Sequence, residues 1–192
     1  MKFIGFTTLL VLWVFTARIL AADTYNYQIA SIAAAEAGVD LGAQSRSKYF
    51  AFYEEWASHN LAEQCASGLS HVRLVVGKVV VRRDRDSTRD FQATTYDLIK
   101  GTQGWWCLGL YGGETSANHD TGDWYANHYI KDGQWKRVSV DNNHRWAGEV
   151  RKLPVSEMKK IGEAYCNTYR TYNAYNNNCI TFAENLFNNI RV

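Results

Sequence analysis

Between Ser70 and Arg83 the chain reads SHVRLVVGKVVVRR, with six valines in fourteen residues. Valine is branched at Cβ, which leaves it one strongly preferred rotamer in a helix and suits it to the pleated surface of a sheet. The segment therefore reads as one long bent strand or a strand pair, with Gly77 at the bend. A strand of this kind needs partners, and the sequence after it supplies them. DFQATTYDLI, GWWCLGLYGG, DWYANHYI and QWKRVSVD read as further strands, parted by the turn-rich DRDST, KGTQG and KDGQ.

Helical patterns bracket this middle. YQIASIAAAEAG (27–38) is alanine-rich and ends in glycine. SRSKYFAFYEEWASHNLAEQCASG (45–68), with aromatics at 49, 50, 52, 53 and 56 and a closing glycine, reads as one long helix or two short ones. After Pro154, Met158, Ile161, Ala164 and Tyr165 fall on one helical face. The expected fold class is α+β, an antiparallel β-sheet packed against helices.

The first 22 residues have a lysine at position 2, the apolar stretch FIGFTTLLVLWVF and a small-residue end, ARILAA. This is the layout of a secretory signal peptide, with cleavage after Ala21 or Ala22. Arg18 breaks the apolar run short of the ~20 residues that span a bilayer, so no stable membrane anchor is expected. The expected organisation is a signal peptide over 1–22 and a single domain over 23–192, secreted to the extracellular space. Removing the leader takes away Lys2 and Arg18 and leaves 19 basic against 19 acidic residues. A chain with no net charge offers no electrostatic case for nucleic acid or an anionic membrane as partner.

The stretch YNNNCITFAENLFNNI (175–190) carries the chemistry. Ala183, Leu186, Phe187 and Ile190 are spaced as one helical face, and Cys179 falls on the same stripe. Asn178 is a good N-cap, which puts Cys179 at the first helical position. The unpaired N–H groups and dipole at that end favour the thiolate, the nucleophilic form of cysteine, and the same N–H groups can hold the oxyanion of an acyl-transfer intermediate. A buried cysteine on a helix stripe also serves plain packing, so the local pattern leaves both readings open.

A nucleophilic cysteine needs a base. His59 lies in the first helical region, His119 and His144 in SANHD and DNNHR, which read as exposed loops, and His71 and His128 in strands. His71 opens the valine-rich strand, just after the small residues Ser67, Gly68 and Ser70. The order of SHVRLVVGK, further strands and then YNAYNNNCITFAENL resembles the circularly permuted papain-like proteins, a group that includes the NlpC/P60-type, lecithin:retinol acyltransferase-like and PPPDE families. The resemblance covers roughly residues 70–190. It implies a permuted papain-like domain in which Cys179 is the nucleophile and His71 the base. Ile180 and Thr181 stand where the acyltransferase-like members carry an acid and a second histidine, which argues against that branch. The residue that orients the histidine has no clear match; Gln92 and His128 are the candidates.

Four cysteines, at 65, 107, 166 and 179, follow the leader, and an even number in an exported chain invites disulfides. The alternating signs of VVVRRDRDSTRD describe a solvated turn. There is no Cys-x-x-Cys or His-x-x-x-His pair for zinc and no phosphate-cradling glycine motif, so neither metal nor cofactor is expected. The expected function is a cysteine-dependent hydrolase or acyl-transfer enzyme working through a thioester on an extracellular peptide, cell-wall peptide or lipid. The alternative is an inactive secreted binding or effector domain with Cys179 in a structural disulfide.

Overall fold

The computed structural model describes residues 23–57, 69–82, 88–100, 106–107, 110–111, 115–116, 124, 128–131, 134–137, 142–172 and 177–192. Helix α1 (Tyr25–Glu36) comes first, followed by a short 3-10 turn (Leu41–Ala43). Three long strands follow: β1 (Tyr49–Ala57), β2 (Leu69–Arg82) and β3 (Thr88–Tyr96). The short strands are β4 (Ile99–Lys100), β5 (Trp106–Cys107), β6 (Leu110–Tyr111), β7 (Thr115–Ser116), β8 (His128–Lys131) and β9 (Gln134–Arg137). Strand β10 (Asn142–Val150) and helices α2 (Val155–Thr168) and α3 (Cys179–Ile190) close the chain. The proposed leader, residues 1–22, lies outside the described residues. Among the described residues no helix is long and apolar enough to cross a membrane.

The fold is α+β. Four strands form an antiparallel sheet in the order β10-β1-β2-β3, and β4–β7, β5–β6 and β8–β9 pair as small two-stranded ribbons. Both faces of the main sheet are covered. Alternation along β1 sends Phe50 and Phe52 toward Tyr27, Ala30 and Ala34 of α1, and Ala51 and Tyr53 toward Met158 of α2 and Phe182, Ala183 and Leu186 of α3. Along β2, Val75 and Val79 join the α1 side while Val72 and Leu74 join the α2–α3 side.

This two-sided burial corrects the reading of residues 45–68. A strand with one wet face alternates apolar and polar residues, but a strand covered on both faces does not. YFAFY therefore lacks the period-two signature and reads as an aromatic helix, whereas Tyr49–Ala57 is a central strand. The remainder of that stretch, including His59 and Cys65, lies outside the described residues. Gly77 has a different role from the one expected. Strand β2 runs unbroken through it, and a Cβ at this position would stand 2.5 Å from both the Cβ of Ala93 and the carbonyl oxygen of Gln92 on β3.

Helix ends follow their caps. Thr24 accepts the Tyr27 N–H at the start of α1, and Gly38, at φ 75°, turns the chain out beyond it. The C-terminus is stitched to β10: the Arg151 N–H reaches the Ile190 carbonyl at 2.8 Å, and Val150 bridges to Arg191. Helix α3 is thus held against the sheet at its far end, which leaves its N-terminus to be set by local contacts.

Candidate active site

The head of α3 is built by two polar side chains, Asn178 just before it and Thr181 in its first turn. Asn178 accepts the N–H groups of Ile180 and Thr181 at 2.9 and 3.0 Å, and Thr181 accepts the Asn178 N–H at 2.9 Å, a reciprocal capping box. Cys179 is the first residue of the helix, 5% exposed, on a buried stripe with Phe182, Ala183, Leu186 and Ile190. Phe182 takes the place on the stripe expected of Phe187, which packs at its margin. The box also narrows the oxyanion reading. Two of the terminal N–H groups are spent on Asn178, which leaves the Cys179 N–H as the helix's own donor to a developing oxyanion.

His71 lies three residues into β2, the strand against which α3 packs. Its Nε2 is 2.8 Å from Oδ2 of Asp97, one residue beyond the end of β3. With Nε2 so engaged, Nδ1 is the nitrogen left to face Cys179, whose side chain lies near enough to interact with the ring. Burial alone would lower the imidazole pKa. It is outweighed by the hydrogen bond to Asp97 and by interaction with Asp97 and Cys179, which push it up to about 10. The imidazolium form is therefore the resting one near neutral pH. Trp56, the cross-strand partner of His71 on β1, places its ring 5.3 Å from the imidazole, and the Arg73 guanidinium lies 5.0 Å over the same indole. The His71 side chain remains 36% exposed.

The head of α3, strand β2 and the residue after β3 thus bring a thiol, an imidazole and a carboxylate near one another. Cys179 and His71, named from the sequence, lie near enough for their side chains to interact. The third member is Asp97, which the sequence reading missed. Gln92, one of the two candidates, is exposed on β3 opposite Lys78, seven residues along β2 from His71 and so about 23 Å away at strand rise. The other, His128, opens β8, and its side chain lies outside the described residues. Oδ1 of Asp97 is buried without a hydrogen-bond partner among the described residues.

The remaining histidines are elsewhere. His119 lies outside the described residues. His144 is in β10 and not in an exposed loop. Its Nε2 stands 3.7 Å from Oε1 of Glu54, a carboxylate that is 1% exposed and also accepts from Arg73 Nε at 2.6 Å and Trp124 Nε1 at 3.2 Å. Cys166 and Cys179 are both free, buried thiols, and burial pushes the Cys166 pKa up. Cys65 and the side chain of Cys107 lie outside the described residues. Among the described residues no three His, Cys, Asp or Glu side chains gather as metal ligands.

Comparison of the chain with family models, with curated proteins and with solved structures finds no match.

Proposed function

We propose that the protein is a cysteine-dependent hydrolase or acyl-transfer enzyme with a Cys179–His71–Asp97 triad. One observation carries the reading: His71 stands between a free thiol at a helix N-terminus and a carboxylate that engages its far nitrogen. The Cys179 sulfur attacks the substrate carbonyl, forming a C–S bond and an oxyanion that the Cys179 N–H can receive. His71, protonated at Nδ1, gives that proton to the departing amine or alcohol as the C–N or C–O bond breaks, leaving a thioester. Water or another acceptor then gives a proton back to His71, attacks the thioester and releases the acyl product as the C–S bond breaks, with the electron pair leaving on the Cys179 sulfur as thiolate. Asp97 orients the ring and stabilises its charged form.

The order of His before Cys, the antiparallel sheet and the helix packed on it favour a permuted papain-like arrangement. The leader-like first 22 residues favour a secreted protein acting on a peptide, cell-wall peptide or lipid. The free thiol favours this enzyme over a binding module in which Cys179 is bridged.

The test is native alkylation at neutral pH with iodoacetamide, read by peptide mapping. Cys179 should react, Cys166 should not, and His71→Ala should slow the reaction at Cys179. Equal, slow labelling of both cysteines with no effect of His71→Ala would overturn the proposal.

A further inference from the structure

The segment that delivers Cys179 is tied to α2 by one phenol. Tyr165, 6% exposed, directs its hydroxyl to Oδ1 of Asn177 at 2.7 Å and meets Oγ1 of Thr181 at 2.9 Å. The phenol has one proton, and the Asn177 carbonyl oxygen can only accept. The single Thr181 hydroxyl proton faces two acceptors, the Tyr165 oxygen at 2.9 Å and the Asn178 carbonyl oxygen at 3.0 Å, and is shared between them. Tyr165 thus donates to Asn177 and meets the Thr181 hydroxyl that accepts the Asn178 N–H. The Asn177 amide nitrogen donates to the carbonyls of Tyr169 and Thr171 at 3.0 and 2.6 Å. Both contacts of the phenol grip the same turn, the one that carries the N-cap of Cys179. The ring itself is held edge-on by Phe182 at 5.2 Å and lies against Tyr169 at 4.8 Å. Burial raises the phenol pKa, which keeps the proton that Asn177 accepts.

We infer that Tyr165 is a positioning residue for the nucleophile: through Asn177 and Thr181 it fixes the turn that holds the Cys179 sulfur against His71. This rests on the proposed triad. None of these groups touches a substrate, so the effect reaches catalysis only through the placing of Cys179. Tyr165→Phe removes one oxygen and keeps the ring contacts. Freed of its tether, the capped turn moves, and the Cys179 sulfur is placed less firmly beside His71.

The experiment is the pH profile of Cys179 alkylation in wild type, Tyr165→Phe and Thr181→Val, with circular dichroism confirming the fold of each. The wild-type profile tests the triad by itself: no preference of reagent for Cys179 over Cys166 sinks the triad before the variants are considered. Given that preference, Tyr165→Phe should lower the neutral-pH rate about fivefold, the equivalent of one net neutral hydrogen bond, and move the profile to higher pH. Thr181→Val should do the same, and the double variant should add little. A folded Tyr165→Phe protein with the wild-type profile would overturn the inference. If Tyr165→Phe does not fold, Asn177→Ala, which removes the phenol's acceptor and leaves the Asn178–Thr181 capping box in place, decides: a shifted profile supports the role, and a wild-type profile refutes it.

Discussion

Asp97→Asn isolates the charge at the far side of the imidazole. Asparagine keeps the shape of the side chain and can keep an oxygen toward His71 Nε2, which Asp97 holds at 2.8 Å. The change replaces a charge-assisted hydrogen bond, worth about 1.5–3 kcal/mol net, by a neutral one of about 1 kcal/mol. The His71 side chain is 36% exposed, so solvent screening puts the loss at the low end. A loss of roughly 0.5 kcal/mol corresponds to about 0.4 of a pH unit. The His71 titration, which stands at about 10 in the native protein, should therefore fall by about half a unit. The assay is an NMR titration of the imidazole resonances, with His71 assigned by the signal that His71→Ala removes. The alkaline limb of the pH–rate profile should move down by the same amount, because His71 must carry a proton when the leaving group departs. An unchanged His71 midpoint in a folded Asp97→Asn protein would refute the assignment of Asp97 as the residue that sustains the imidazolium.

The same titration bears on folding. His71 rises from an ordinary value near 6.5 to about 10 in the folded chain, so its contribution is fully present below about pH 6.5 and is lost as pH climbs through about 10. Urea midpoints of the wild type should decline over that window, and Asp97→Asn should flatten the decline. Arg73→Ala leaves the Glu54 carboxylate, 1% exposed, without its 2.6 Å cation; chemical denaturation should show a loss of about 3–5 kcal/mol. Gly77→Ala forces a methyl into β3, 2.5 Å from the Ala93 Cβ, and should cost about 3 kcal/mol in the same assay, the upper end of overpacking.

The elements with a single buried stripe and a clear cap were legible in the sequence. Helix α3 begins where Asn178 and the 179–190 pattern place it, because a cap and an amphipathic stripe are local signals. Strand β1 was not legible, because its two faces are buried in two different layers and its sequence carries no alternation. The α2 stripe was legible only in part. Met158 and Tyr165 are buried as spaced, but Gly162 and Cys166 complete the face while Ala164 turns outward. At the site, Cys179 and His71 each had a local signature, a helix head and a strand start. Asp97 had none: it reads as one more residue of the segment DFQATTYDLI. Its signal is long-range. The β2–β3 hairpin pairs Arg82 with Thr88 and Leu74 with Tyr96. Continuing that register sets Asp97 beside Arg73 and diagonal to His71, within side-chain reach. Counting back from the turn DRDST would have brought the acid to the histidine. His144 went astray for a related reason, since DNNHR has a turn's composition and yet Asn142, Asn143, His144 and Arg145 pair with β1.

The most direct test of the account is to trap the acyl-enzyme. The protein is mixed with an activated ester, quenched in acid within the first turnover and mapped by peptide mass spectrometry. The account predicts the acyl group on the sulfur of Cys179, none in Cys179→Ala, and slow formation in His71→Ala. Ester turnover that persists undiminished in Cys179→Ala, or an acyl group found on another residue, would contradict it.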